Sequence, residues 1–137
     1  MTAATLTARG EFEVTMTPEA VVPGPDGGNL SRLALDKHYH GNLEATGAGF
    51  MLSALTSTTG SAGYVAMELV KGTLHGRAGS FVLQHTGIMN RGAPQLSIAI
   101  VPDSGTGELT GISGSCGINI TGGKHYYELH YSLPVAP

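Results

Sequence analysis

Leu30-Ser31-Arg32-Leu33-Ala34-Leu35-Asp36-Lys37-His38-Tyr39-His40-Gly41-Asn42-Leu43-Glu44 alternates along its whole length. Leu33, Leu35, Lys37, Tyr39, Gly41 and Leu43 share one parity. Arg32, Ala34, Asp36, His38, His40, Asn42 and Glu44 share the other. A period of two is that of a half-buried strand. The run predicts one long strand, or a strand bent at Gly41, because glycine inside a strand often marks a bulge.

The same period recurs on either side. Residues 11–16 alternate. Residues 18–29 hold three prolines and three glycines and read as a loop. Residues 49–55, 63–74, 80–86 and 95–101 are further strands, the last bounded by Pro94 and Pro102. Residues 104–107 and 111–115 read as turns. Residues 116–120 and 125–133 are two strands joined by Thr121-Gly122-Gly123-Lys124, a hairpin signal. About eight short strands with close turns and no helix imply an all-β fold, a sandwich or a small antiparallel eight-stranded barrel. Residues 1–137 form a single domain, with 1–8 as a flexible N-terminal tail.

Composition agrees. Glycine supplies 21 of 137 residues, about twice the usual share of ~7%. Charged residues make up only 12%, against a usual ~25%. That argues against a disordered chain and against a helical bundle. The net charge of −3 and the seven scattered Lys and Arg leave no basic stripe for nucleic acid. The lone Cys116 excludes an internal disulfide. No apolar run approaches the ~20 residues of a membrane span, and residues 1–5 show no charged region followed by an apolar stretch, so no secretory signal is expected. A cytoplasmic protein is expected.

Four stretches together resemble a known family. They are Lys37-x-Tyr39-x-Gly41-Asn42-Leu43-Glu44, Gly76-Arg77-x-Gly79-Ser80-Phe81-Val82-Leu83-Gln84-His85-x-Gly87, Pro102-Asp103-Ser104-Gly105-Thr106-Gly107-Glu108-Leu109 and Gly123-Lys124-His125-x-Tyr127. The pattern is similar to the bacterial domain-of-unknown-function family numbered 3224, whose structures look like the allene oxide cyclase barrel. The resemblance implies the closed eight-stranded barrel. Plant allene oxide cyclases isomerise a fatty-acid epoxide inside such a barrel. No plant-cyclase motif stands in this chain, so that reaction would rest on fold analogy alone.

Candidate catalytic residues are Glu68, Glu44 and His85. Carboxylates are scarce, and Glu44 and Glu68 interrupt strands. Ala66 and Val70 flank Glu68 on its own face, so it is expected to line the cavity with a raised pKa, suited to proton transfer. The bland alternative is pairing with Lys37, Lys71 or Arg77, or exposure. His85 shares a face with Phe81 and Leu83; Gln84 shares the other with Val82 and Thr86, so both cannot line one cavity. A structural histidine bonded to a backbone carbonyl is the competing reading for His85. Gln84, Phe81, Leu83, His125 and Tyr127 are the candidate ligand contacts.

His38 and His40 share a face, but no ligand spacing is diagnostic, and no metal or cofactor is expected. Ser80 and Ser104 lack a nucleophile elbow. Cys116 reads as a small buried hydrophobe. Two functions from different classes follow. One is a barrel that binds a small apolar molecule, or serves as a scaffold, without turnover. The other is a cofactor-free isomerase or cyclase using a buried carboxylate or histidine. Apolar residues on both faces of residues 96–101 further suggest a homo-oligomer, a dimer or trimer.

Overall fold

In the computed structural model, which describes residues 4–135, the alternation of residues 30–44 becomes two strands rather than one. β2 (Asn29–Gly41) ends at Gly41, the chain reverses at Asn42, and β3 (Leu43–Leu55) returns beside it. The reversal is invisible to parity because Gly41 and Leu43 keep the inward phase across it. Gly41 has φ +107°, which a side chain would resist. The Asn42 side chain accepts the Arg9 N–H at 2.9 Å and its carbonyl accepts the His75 N–H, fastening the turn to two neighbours.

The remaining strands are β1 (Leu6–Pro23), β4 (Ala62–Leu74), β5 (Arg77–Asn90), β6 (Ala93–Ile100), the two-residue β7 (Thr106–Gly107), β8 (Ser113–Thr121) and β9 (Lys124–Ser132). The neighbours run β4-β3-β2-β1-β9-β8-β6-β5, and β5 pairs back onto β4. The sheet therefore closes into an eight-stranded antiparallel barrel, with β7 an appendage on β5. Two-residue loops at His75-Gly76, Arg91-Gly92 and Gly122-Gly123 carry positive φ at both positions, the primed turn that suits strand twist.

Several boundaries differ from the sequence reading. β1 begins at Leu6 and buries Ala8 completely, so the stretch read as a tail is partly strand. Residues 1–3 lie outside the described residues. β1 also continues through Pro18 to Pro23, where a loop was expected. A register shift between Pro18 and Ala20 absorbs the proline, which offers no N–H to a ladder.

One end of the barrel is packed solid. Leu43, Val70, Leu74, Phe81, Leu83 and Leu129 meet there. The loop after β6, read as plain turns, inserts Leu109 and Ile112 into this core. The other end is unzipped. β6 pairs with β8 only through Ile98–Cys116 and Ala99–Ser115. β9 pairs with β1 only as far as Phe12, so residues 13–23 of β1 have a free edge. A side window opens between β1 and β6, above the tip of the β8–β9 hairpin.

Leu96, Ile98 and Ile100 all point inward, leaving Ser97 and Ala99 outside. Over residues 96–100 the outer face of β6 is therefore built of small residues. The exposed apolar side chains stand on β3 and β4 instead, with Phe50 beside Met67 and Leu52 beside Val65. Among the described residues no helix is long and apolar enough to cross a membrane.

Two glycines of neighbouring strands test the packing. A Cβ on the inward Gly49 would overlap the Met67 carbonyl, whereas one on Gly63 would meet only the Gly87 carbonyl at 3.8 Å. Gly49→Ala should cost about 1–3 kcal/mol. Gly63→Ala should leave the urea midpoint equal or slightly raised. Denaturant unfolding of the two variants checks the contrast.

Candidate functional site

β3 is the strand that makes room for the site. Its inward positions 47 and 49 are both glycine, so a trough without side chains lies between β2 and β4. Lys37 on β2 stands opposite Gly47, and Glu68 on β4 stands opposite Gly49. The two side chains meet across the trough, with Lys37 Nζ 3.0 Å from Glu68 Oε1. A Cβ on Gly47 would overlap the Glu68 carboxylate.

Two further donors complete the cluster. His85 on β5 places Nε2 at 2.9 Å from the same Oε1. Tyr39, two residues after Lys37 on the same face, donates its hydroxyl to Oε2. Glu68 is 0% exposed, His85 3% and Lys37 5%. The Lys37 ammonium also lies 5.0 Å from the centre of the Phe12 ring, a cation–π contact. Among the described residues, no buried side-chain polar atom lacks a hydrogen-bond partner.

The electrostatics reverse the expectation of a raised Glu68 pKa. Burial pushes the carboxyl up. The hydrogen bond from His85, the charge of Lys37 and the Tyr39 hydroxyl together outweigh it, and the group is held below the ordinary carboxylate value. Glu68 is therefore an ionised acceptor, which requires His85 to carry its proton on Nε2. Burial, then the Glu68 charge, pushes the Tyr39 hydroxyl well up, so it stays a donor. Burial likewise pushes the Cys116 thiol up to about 12, which leaves it unreactive.

Above this floor lies a cavity of about 310 Å³, with walls that include Phe12, Leu35, Met51, Ala66 and Ile118. Lys37 and His85 border it from below and His125 from the side. It shares Met16, Met51, Tyr64, Leu96 and Ile120 with a wider space of about 610 Å³ that opens through the side window. Tyr64 lies flat over Gly87 at this mouth, in the space a side chain there would take.

Of the sequence candidates, the structure brings His85 and His125 to the cavity wall; Glu68, expected to line it, is instead sealed behind Lys37 and His85, with no exposed surface. His85 bonds the Glu68 side chain, not a backbone carbonyl. Glu44 does not join them: it lies after the β2–β3 turn on the outer face, exposed, and accepts the Gly41 N–H at 2.8 Å. Gln84 points outward beside Met67, as strand parity demands. Phe81 and Leu83 belong to the packed core and do not line this cavity. The Tyr127 hydroxyl accepts the Leu43 N–H and donates to the His40 carbonyl, both at 2.9 Å, so its polar atom serves the β2–β3 turn. His38 and His40 point outward. Among the described residues no three His, Cys, Asp or Glu side chains converge as metal ligands would.

Lys37 and Tyr39 were not among the site candidates. One signal marks Lys37: it is the single charged residue on the apolar parity of residues 30–44.

A closed barrel with an apolar chamber above a buried Lys-Glu-His-Tyr cluster defines the class. The model of the family described as "Protein of unknown function (DUF3224)" matches residues 8–131, and the chain belongs to that family. A crystal structure of a DUF3224 protein of unknown function from Shewanella oneidensis MR-1 is similar, with 51% identity and a TM-score of 0.92. The match covers 97% of this chain and 100% of that one. No curated protein matches the chain.

The cluster predicts a specific response to substitution and to acid. Glu68→Gln leaves the Lys37 ammonium buried without its partner, which should cost about 3–5 kcal/mol. Adding Lys37→Met should recover most of that loss. Because the Glu68 pKa is lowered on folding, its contribution is fully present above the unfolded carboxylate value. It is lost as pH falls through the lowered native value. Urea unfolding between pH 7 and pH 3 should therefore fall less steeply in the Lys37→Met/Glu68→Gln double variant than in the wild type.

Proposed function

We propose that this barrel binds one compact, largely apolar small molecule inside its lumen and that the cavity floor supports cofactor-free proton transfer on it. One observation carries the reading: an apolar chamber entered from one side ends on Lys37 and His85, both held on a single carboxylate oxygen. A chamber of about 310 Å³ with few convergent polar groups has the proportions of a small-molecule site.

Each floor residue supports a role. Glu68 fixes the His85 tautomer and would stabilise the imidazolium formed when the ring takes a proton. That leaves Nδ1 as the acceptor: the His85 side-chain hydrogen bond is made by Nε2, and since no fully inaccessible side-chain polar atom among the described residues is unpaired, Nδ1 is not sealed off. Lys37 would meet a polar atom of the ligand. Glu68 is thus a positioning residue and His85 the proton acceptor. One feature favours the alternative of binding without turnover. The Glu68 carboxylate already has three side-chain donors, so the cluster is complete without a ligand.

Binding is tested with N-phenyl-1-naphthylamine, a neutral dye whose fluorescence rises in apolar surroundings. The wild type should bind it. Leu96→Trp, at the half-open window, should weaken binding at least about tenfold, the equivalent of ~1.4 kcal/mol. Met67→Trp, on the exposed outer face, should not. The reverse pattern would put the dye on the outside of the barrel and defeat the reading.

A further inference from the structure

Resting on that reading, we infer that the ligand class is a neutral ketone with a proton on the carbon next to its carbonyl, which the floor converts to its conjugated isomer through an enolate. The argument begins with charge. Glu68 and Lys37 cancel. His85, His125 and Tyr64 are the other titratable side chains bordering the chamber. An anionic ligand would bring an unbalanced charge into an apolar cavity, at a cost of several kcal/mol. A cationic ligand would find both Glu68 oxygens already taken by Lys37, His85 and Tyr39. A neutral molecule fits, provided it offers an acceptor to Lys37 and a removable proton to His85 Nδ1.

An enolisable ketone offers both on adjacent atoms. Lys37 Nζ and His85 Nε2 lie 3.0 Å and 2.9 Å from the same Glu68 oxygen, so the ammonium and the imidazole ring that carries the base are neighbours, and both border the chamber. His85 Nδ1 takes the α-proton of a β,γ-unsaturated ketone. The C–H electron pair becomes a new C=C bond, and the carbonyl π pair moves onto the oxygen beside Lys37. The enolate oxygen pair then reforms the C=O bond, the π pair formed at the α-carbon shifts to Cα–Cβ, and the former β,γ π pair takes the proton back from the His85 imidazolium at the γ-carbon, giving the α,β-unsaturated ketone and neutral His85. Nothing is oxidised or reduced and no atom is gained or lost. The charges created match those already in place: the imidazolium forms against Glu68, and the enolate oxygen forms against Lys37.

The probes are six-membered rings. In wild-type protein, cyclohexanone should displace N-phenyl-1-naphthylamine at least about tenfold better than cyclohexanecarboxylate or cyclohexylammonium, a step of ~1.4 kcal/mol. Cyclohex-3-enone should be converted to cyclohex-2-enone, followed by the absorbance of the conjugated product, and deuterium should enter from D₂O. His85→Gln should lower the rate by about 10²–10⁴-fold, the range of a general base. The double variant Lys37→Met/Glu68→Gln, which keeps no unpaired buried charge, should lose turnover while still binding the dye. Preference for the carboxylate would overturn the proposal. So would cyclohex-3-enone that displaces the dye but undergoes neither isomerisation nor exchange; lumen binding would then stand. A wild type that binds neither dye nor ketone would remove the lumen reading, and the proposal with it.

Discussion

The Glu68 carboxylate has no contact with solvent, and the other polar side chains on the cavity floor are placed by reference to it. A buried carboxylate without donors costs several kcal/mol or takes up a proton. Here the donors come from β2 and β5, and β3 yields the space by carrying glycine at 47 and 49. Four neighbouring strands are thus tied in register to a single charged group. A one-residue slip of β2 or β4 would turn Lys37 or Glu68 to the opposite face and leave the other charge unpaired.

The window follows from unequal strand lengths. β1 and β5 outrun the β8–β9 hairpin, so the sheet closes firmly at one end and parts at the other. Large side chains fill the closed end. Toward the open end Met16, Met51 and Leu96 line the space without filling it. The floor cluster sits at the boundary, where hydrophobic packing stops.

Much of this was legible in the residues. The period of two gave strands, glycine-rich turns gave short connections, and parity alone separated His85 from Gln84. The apolar neighbours of Glu68 put it inside the barrel. The direction of its pKa was not legible, because the three donors come from positions 37, 39 and 85 and strand pairing alone brings them together. Glu44 was misplaced for a local reason: a tight reversal at Asn42 keeps the inward phase, so a hairpin imitates one long strand. Parity groups Phe81 and Leu83 with His85, but it carries no information on depth along the barrel axis. The prolines at 18 and 23 suggested a loop, although an edge strand tolerates them.

Closure of this barrel joins strands from opposite ends of the sequence, with Ala8 beside Leu129. On the ribosome, β2 to β5 can pair with their neighbours as they emerge, since each is joined to the next by a short connection. β1 must wait for residues 124–132. At about 5–20 residues per second, that leaves one side of β1 unpaired for on the order of ten seconds. An open edge of that kind invites pairing with another chain. From Leu6 to Phe12 the exposure is temporary and β9 ends it. From residue 13 onward it is permanent, and that is the part of β1 that carries Pro18, Pro23 and the register shift.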